Sequence, residues 1–122
     1  MRAAAALLLA VLAGSVHAAP PRAEREIAQL IDALGRSGCR FQRNGEWHDA
    51  ATARGHLQRK YDWLRKRGLA DTAEQFIERA GTRSSMSGRA YAVRCPGRPE
   101  EPSAAWLMRQ LQALRRTTPS SP

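Results

Sequence analysis

"CRFQRNGEWH", Cys39 to His48, is the stretch whose reading decides the fold. Its centre, Asn44-Gly45, is the strongest short hairpin signal, because both residues tolerate the positive φ of a type I′ turn. A two-residue loop fixes the register. Phe41 is then expected opposite His48, Gln42 opposite Trp47, and Arg43 opposite Glu46. Alternation along a strand sends Cys39, Phe41 and Arg43 to one side and Gln42 and Trp47 to the other. Arg43 and Glu46 become a cross-strand charge pair beside the turn, worth a fraction of a kcal/mol.

"YAVRC", Tyr91 to Cys95, alternates in the same way and reads as a half-buried strand. Laid antiparallel to the first strand, it sets Cys39 against Cys95, Phe41 against Val93 and Arg43 against Tyr91. One register satisfies both the cysteines and the apolar face, and such agreement between levels marks a foldable sequence. Cys39 and Cys95 are the two cysteines of the chain, so one disulfide is expected. Closing a loop of that length stabilises the fold by about 4 kcal/mol on the chain-entropy model. The wide spacing is unlike the C-x-x-C of redox pairs.

Four helical patterns surround these strands. Ile27, Leu30, Ile31 and Leu34 recur at i, i+3, i+4 and i+7 and predict a helix over about 22–36, ended by Ser37-Gly38. Asp49 is an N-cap for a second helix over about 50–67, stopped by Gly68. Its core stripe is Ala50, Ala53, Leu57, Tyr61 and Leu64. Thr72 and Gln75 fit a capping box for a third helix burying Phe76, Ile77 and Ala80 and ending at Gly81. "TRSSMSGR" and "PGRPEEP" read as loops. Ser103 is expected to cap a fourth helix with Leu107, Leu111 and Leu114 as its stripe, flanked by Trp106 and Met108. The expected architecture is α+β: a three-stranded antiparallel sheet whose Phe41/Val93 face is covered by about four helices.

The N-terminus specifies a compartment. "MRAAAALLLAVLAGSVHAAP" has a charged Arg2, an apolar run from Ala3 to Leu12 and an A-x-A-like end, Val16-His17-Ala18. This is the pattern of a secretory signal peptide, with cleavage expected after Ala18. The apolar run is too short for a permanent transmembrane helix. Residues 19–116 are then one α+β domain and 117–122 a disordered tail. Loss of Arg2 leaves nineteen basic residues against eleven acids, a net charge of +8. Eighteen of the chain's twenty bases are Arg, and they are scattered, without the stripe that tracking a phosphate backbone needs. Nucleic acid is therefore not an expected partner. An acidic protein face or an anionic polymer is.

Taken together, "FQRNGEWHDAATARGHLQRKY", "TAEQFIERAGTRSSMSGRAYAVRCPG" and "PSAAWLMRQLQAL" resemble the YfeK-like family of small exported bacterial proteins, a domain of unknown function. The matching segments run in the same order over nearly the whole mature chain. The resemblance implies a periplasmic bacterial protein. It brings no activity, substrate or catalytic residue with it.

The candidate sites follow from residue chemistry. Arg43, Glu46 and His48 could line a rim at the hairpin, although turn chemistry alone accounts for Asn-Gly and the charges. Trp47, on the sheet face away from Phe41, needs cover from a helix or stands exposed for a partner. On the flank of the second helix, His56, Lys60 and Trp63 are spaced i, i+4, i+7, with Arg59 and Lys66 beside them. An aromatic among bases suits an acidic protein face, a carbohydrate or an anionic cell-wall polymer. The alternative is that Trp63 closes the core edge and the bases border it.

The serine loop, Ser84 to Ser87, could bind an anion, but it follows a helix C-terminus and matches no phosphate-loop signature. A solvated turn is the simpler reading. With His48 or His56 and Asp49 it holds the residue types of a triad, without a G-x-S-x-G or S-x-x-K motif to position them. No metal-ligand spacing occurs, and no cofactor is expected. The sequence thus favours a non-enzymatic periplasmic module that binds an envelope protein or anionic envelope component. The alternative is a small hydrolase or transferase using Ser84–Ser87 with His48. Nothing in the chain specifies its oligomeric state.

Overall fold

Asn44 and Gly45 take φ values of 51° and 79°, and the chain reverses there as a type I′ hairpin requires. In a computed structural model that describes residues 20–117, this hairpin joins β1 (Arg40–Arg43) to β2 (Glu46–His48). Phe41 pairs with His48, Gln42 with Trp47 and Arg43 with Glu46, the register the turn dictates. β3 (Ala92–Arg94) lies antiparallel on the other side of β1, with Phe41 opposite Val93. That register brings Cys39 and Cys95 together, and they form a disulfide with a Cα–Cα distance of 4.2 Å.

The sheet has four strands, not three. β4 (Glu101–Pro102) pairs with β3, giving the order β2-β1-β3-β4. It lies in the segment expected to be a loop. Three prolines hide a strand from any alternation count, yet a proline without an N–H is tolerated at a sheet edge. β4 is such an edge.

The helices are α1 (Pro21–Gly35), α2 (Ala50–Arg65), α3 (Ala73–Ala80) and α4 (Ser103–Thr117). Asp49 caps α2 by accepting from the Thr52 N–H at 2.8 Å. Thr72 caps α3 through the Gln75 N–H at 3.0 Å. The Gln75 side chain reaches back to the Asp71 N–H, one residue before the position a capping box uses. The expected Ser103 cap does not form. Its Oγ is buried without a hydrogen-bond partner among the described residues.

The core sits between the helices and the inner sheet face. Ile27, Leu30, Phe76, Val93, Leu107 and Leu111 are its largest fully enclosed side chains. Trp106 of α4 covers Phe41 edge-to-face at 5.7 Å. On the outer face, Trp47 is covered by Arg94 of β3, whose guanidinium lies 4.5 Å from its ring centre. A cation reaching across β1 from β3 supplies the cover expected of a helix. Arg115 joins three helices, donating from α4 to Glu26 of α1 at 2.8 Å and to Glu74 of α3 at 2.7 Å. Among the described residues no helix is long and apolar enough to cross a membrane. The expected signal peptide, residues 1–18, lies outside the described residues. So does the expected tail from residue 118 onward, while Thr117 is the last residue of α4.

Candidate functional site

α2 carries the basic-aromatic flank. From its Asp49 cap the helical repeat brings His56, Arg59, Lys60 and Trp63 to one side, beside the buried stripe of Leu57, Tyr61 and Leu64. The loop between α3 and β3 comes up against this flank. Ser84 organises that loop. Its N–H donates to the Arg89 carbonyl at 2.9 Å, and its Oγ accepts from the Met86 and Ser87 N–H groups, each at 3.3 Å. Ser87 Oγ donates to Asn44 Oδ1 at 2.5 Å, which ties the loop to the hairpin turn. Lys60 Nζ donates to the Arg83 carbonyl at 3.1 Å and to the Tyr91 hydroxyl at 3.0 Å.

Between α2, the loop and the end of β1 runs a groove of about 410 Å³. Arg43, Arg59, Lys60 and Arg79 supply its charge, Trp63 and Met86 much of its apolar surface. No Asp or Glu lines it among the described residues. Lys60 and Arg79 are engaged with backbone carbonyls, at 3.1 Å and 2.6 Å. Arg43 and Arg59 form neither a hydrogen bond nor an ion pair among the described residues, so their donors remain available. Trp63 is 53 % exposed, and the Arg67 guanidinium lies 3.8 Å from its ring centre. It does not close the core edge.

His56 lines the groove and meets His48 edge-to-face at 5.2 Å. Burial, then the charges of Arg43 and Arg59 and the neighbouring His48, holds the His56 imidazole below its ordinary range. The groove's positive charge comes from Arg43, Arg59, Lys60 and Arg79 on its walls, with no carboxylate among the described lining residues. Such a charge favours an anion.

Five of the six candidate binding residues therefore meet in one place: Arg43, His56, Arg59, Lys60 and Trp63. Trp47 does not join them, because it lies on the opposite sheet face under Arg94. The serine loop, read separately in the sequence, supplies the facing wall through Ser84 and Ser85. His48 does not line the groove. It lines an adjoining cavity of about 50 Å³ between α2, β1 and α4. Arg79, Tyr91 and Met86 escaped the sequence reading, since no local pattern sets them apart from ordinary loop and helix residues. Ser84 is 3 % exposed and its oxygen is occupied by the turn. No histidine hydrogen-bonds to Ser84, Ser85 or Ser87 among the described residues. Asp49 is spent on the α2 cap. Among the described residues no group of three or more His, Cys, Asp or Glu could hold a metal ion.

Comparison with known proteins places these features in a family. A family model described as "Family of unknown function (DUF5329)" matches residues 21–115. A relative, "Uncharacterized protein YfeK" from Salmonella typhimurium, is 38 % identical over 69 residues. Those residues are 56 % of this chain and 56 % of that relative, so the chain spans little more than half the length of the relative it matches. No solved structure matches.

Proposed function

We propose, from the premise that the chain belongs to the DUF5329 family of unknown function, that it is an exported, periplasmic binding module for an anionic envelope component. The groove between α2 and the loop leading to β3 is its binding site. One observation carries this reading: Arg43 and Arg59 border a groove free of carboxylates and have no partner of their own among the described residues. Unpaired guanidiniums flanking an exposed tryptophan suit bidentate recognition of carboxylate or phosphate. An acidic protein face offers the same chemistry. The alternative, a hydrolase or transferase built on Ser84–Ser87 with His48, has less support. The Ser84 hydroxyl is committed to its turn, and His48 sits outside the groove.

Titration of residues 19–122 with polyphosphate and with polyglutamate tests the reading. Binding should persist at physiological ionic strength and weaken by about tenfold or more in the Arg43→Gln/Arg59→Gln variant, since each charge-assisted hydrogen bond lost from a bound anion costs on the order of a factor of ten. Equal binding by wild type and variant, or binding abolished by physiological salt in both, would reduce the groove to unspecific charge.

A further inference from the structure

Among the described residues two large hydrophobic side chains are exposed, Trp63 and Met86, and both border the basic groove. Apolar residues scattered singly over a surface need no explanation, whereas two gathered at one groove mark a place of contact. Each is held in position. Trp63 sits on α2 with the Arg67 guanidinium against its ring at 3.8 Å, and Arg67 Nη1 donates to the Trp63 carbonyl at 2.8 Å. Arg67 does not line the groove, so the ring meets the groove on surface that Arg67 leaves open. Met86 is 91 % exposed, yet its N–H donates to Ser84 Oγ and its loop is tied to the hairpin through Ser87 and Asn44. A loop so fastened loses little freedom on binding, which lowers the cost of using an exposed methionine as a contact. The flexible thioether then adapts to the shape of what it meets.

The chemistry of the groove restricts its occupant. Arg43 and Arg59 have no partner among the described residues and no carboxylate lines the groove, so the occupant carries negative charge. The volume of about 410 Å³ exceeds what one aromatic ring needs, on the order of 150 Å³, and leaves room for acidic groups beside it. An acidic glycan would engage the arginines and the tryptophan but would leave Met86 without a role, because a thioether is a weak acceptor for hydroxyls. Tryptophan, tyrosine, methionine and arginine are instead the side chains enriched where proteins meet, and Trp63, Tyr91, Met86, Arg43 and Arg59 gather here. Resting on the reading of the groove as an anion site, we propose that its occupant is an acidic segment of a partner protein, which sets one large apolar side chain against Trp63 and Met86 and its carboxylates on Arg43 and Arg59.

The test varies the apolar side chain at constant charge. Residues 19–122 are titrated at physiological ionic strength with capped peptides in which three glutamates stand on either side of a central alanine, leucine or phenylalanine, and with polygalacturonate as an acidic glycan. The leucine or the phenylalanine peptide should bind about tenfold more tightly than the alanine peptide, because burying one large apolar side chain is worth on the order of a factor of ten or more. Trp63→Ala/Met86→Ala should erase that preference and bind all three peptides as the wild type binds the alanine peptide. Both side chains are exposed, so cooperative thermal unfolding of the double variant should persist and shows that the loss is not one of folding. Equal affinity for the three peptides, or a preference that survives the double variant, overturns the inference while the anion groove stands. Polygalacturonate binding more tightly than every peptide also overturns it and makes the occupant a glycan. If neither polyphosphate nor any peptide binds in a manner lost in Arg43→Gln/Arg59→Gln, the groove reading itself fails.

Discussion

The Lys60 ammonium lies 3.0 Å from the Tyr91 hydroxyl and 4.9 Å from the centre of the same ring, so one cation holds α2 against the approach to β3. It also donates to the Arg83 carbonyl, which pins the start of the serine loop. Lys60 is thereby a strut of the groove as well as part of its charge. Lys60→Met should lower stability by about 1–2 kcal/mol, since charge-assisted hydrogen bonds that are partly solvated contribute at the lower end of their range. Urea denaturation would read the loss. Amide exchange should quicken in residues 82–90 and stay slow in the β1–β2 hairpin. Uniform exchange would mean that Lys60 is no strut.

His56 should make anion binding pH-dependent. Burial and then the neighbouring charges lower its pKa and favour its neutral form in the free protein. An anion in the groove favours the imidazolium, so binding takes up a proton, and affinity should rise as pH falls toward the lowered pKa of the free protein. The sign for folding is opposite. A histidine with a depressed pKa contributes stability above its unfolded value and loses it as pH falls through the folded one. Polyphosphate titrations between pH 5 and 8 should show this rise in wild type and a flatter profile in His56→Asn. An unchanged profile in the variant would assign the pH dependence elsewhere.

Arg115 links stability to acid. Its guanidinium hydrogen-bonds to Glu26 and Glu74 and holds both carboxyls below their ordinary value of 4.5. Carboxylates with depressed pKa values contribute stability that is fully present above the unfolded value and lost as pH falls through the folded ones. Stability should therefore decline below about pH 4.5, and less steeply in Arg115→Met. The substitution leaves Glu26, which is 9 % exposed, to the Arg22 guanidinium 3.7 Å away. At neutral pH it should cost about 2 kcal/mol, below the cost of breaking a fully buried pair because Arg115 is partly solvated. Thermal unfolding of both proteins at several pH values measures each effect.

Reducing the Cys39–Cys95 disulfide should lower stability by about 4 kcal/mol, because the bond spans 56 residues of sequence. Denaturant titrations with and without reductant would show it. A change below about 1 kcal/mol would mean that the unfolded chain already holds the two strands together.

The local elements were legible because each rests on short-range chemistry. Asn44-Gly45 permits little but the tight turn, and its two-residue loop dictates the β1–β2 register. Phe41 against Val93 and Cys39 against Cys95 follow from one alternation, and the caps at Asp49 and Thr72 from side chains that reach three residues ahead. The outcome differed where a remote partner decides. Glu101-Pro102 becomes a strand because β3 offers it a free edge. Ser103 forgoes its cap and is buried where elements distant in sequence pack together.

The sequence by itself determined the α+β class, the hairpin, the disulfide and the residue types of the binding flank. It did so because turn geometry, alternation and helical periodicity act over a few residues. Only the tertiary structure decided that the α2 flank and the serine loop form one groove, that Trp47 is excluded from it and that Arg43 and Arg59 have no counterion among the described residues. Those outcomes depend on which surfaces meet when the core closes. No pattern within α2 shows what will be packed beside it.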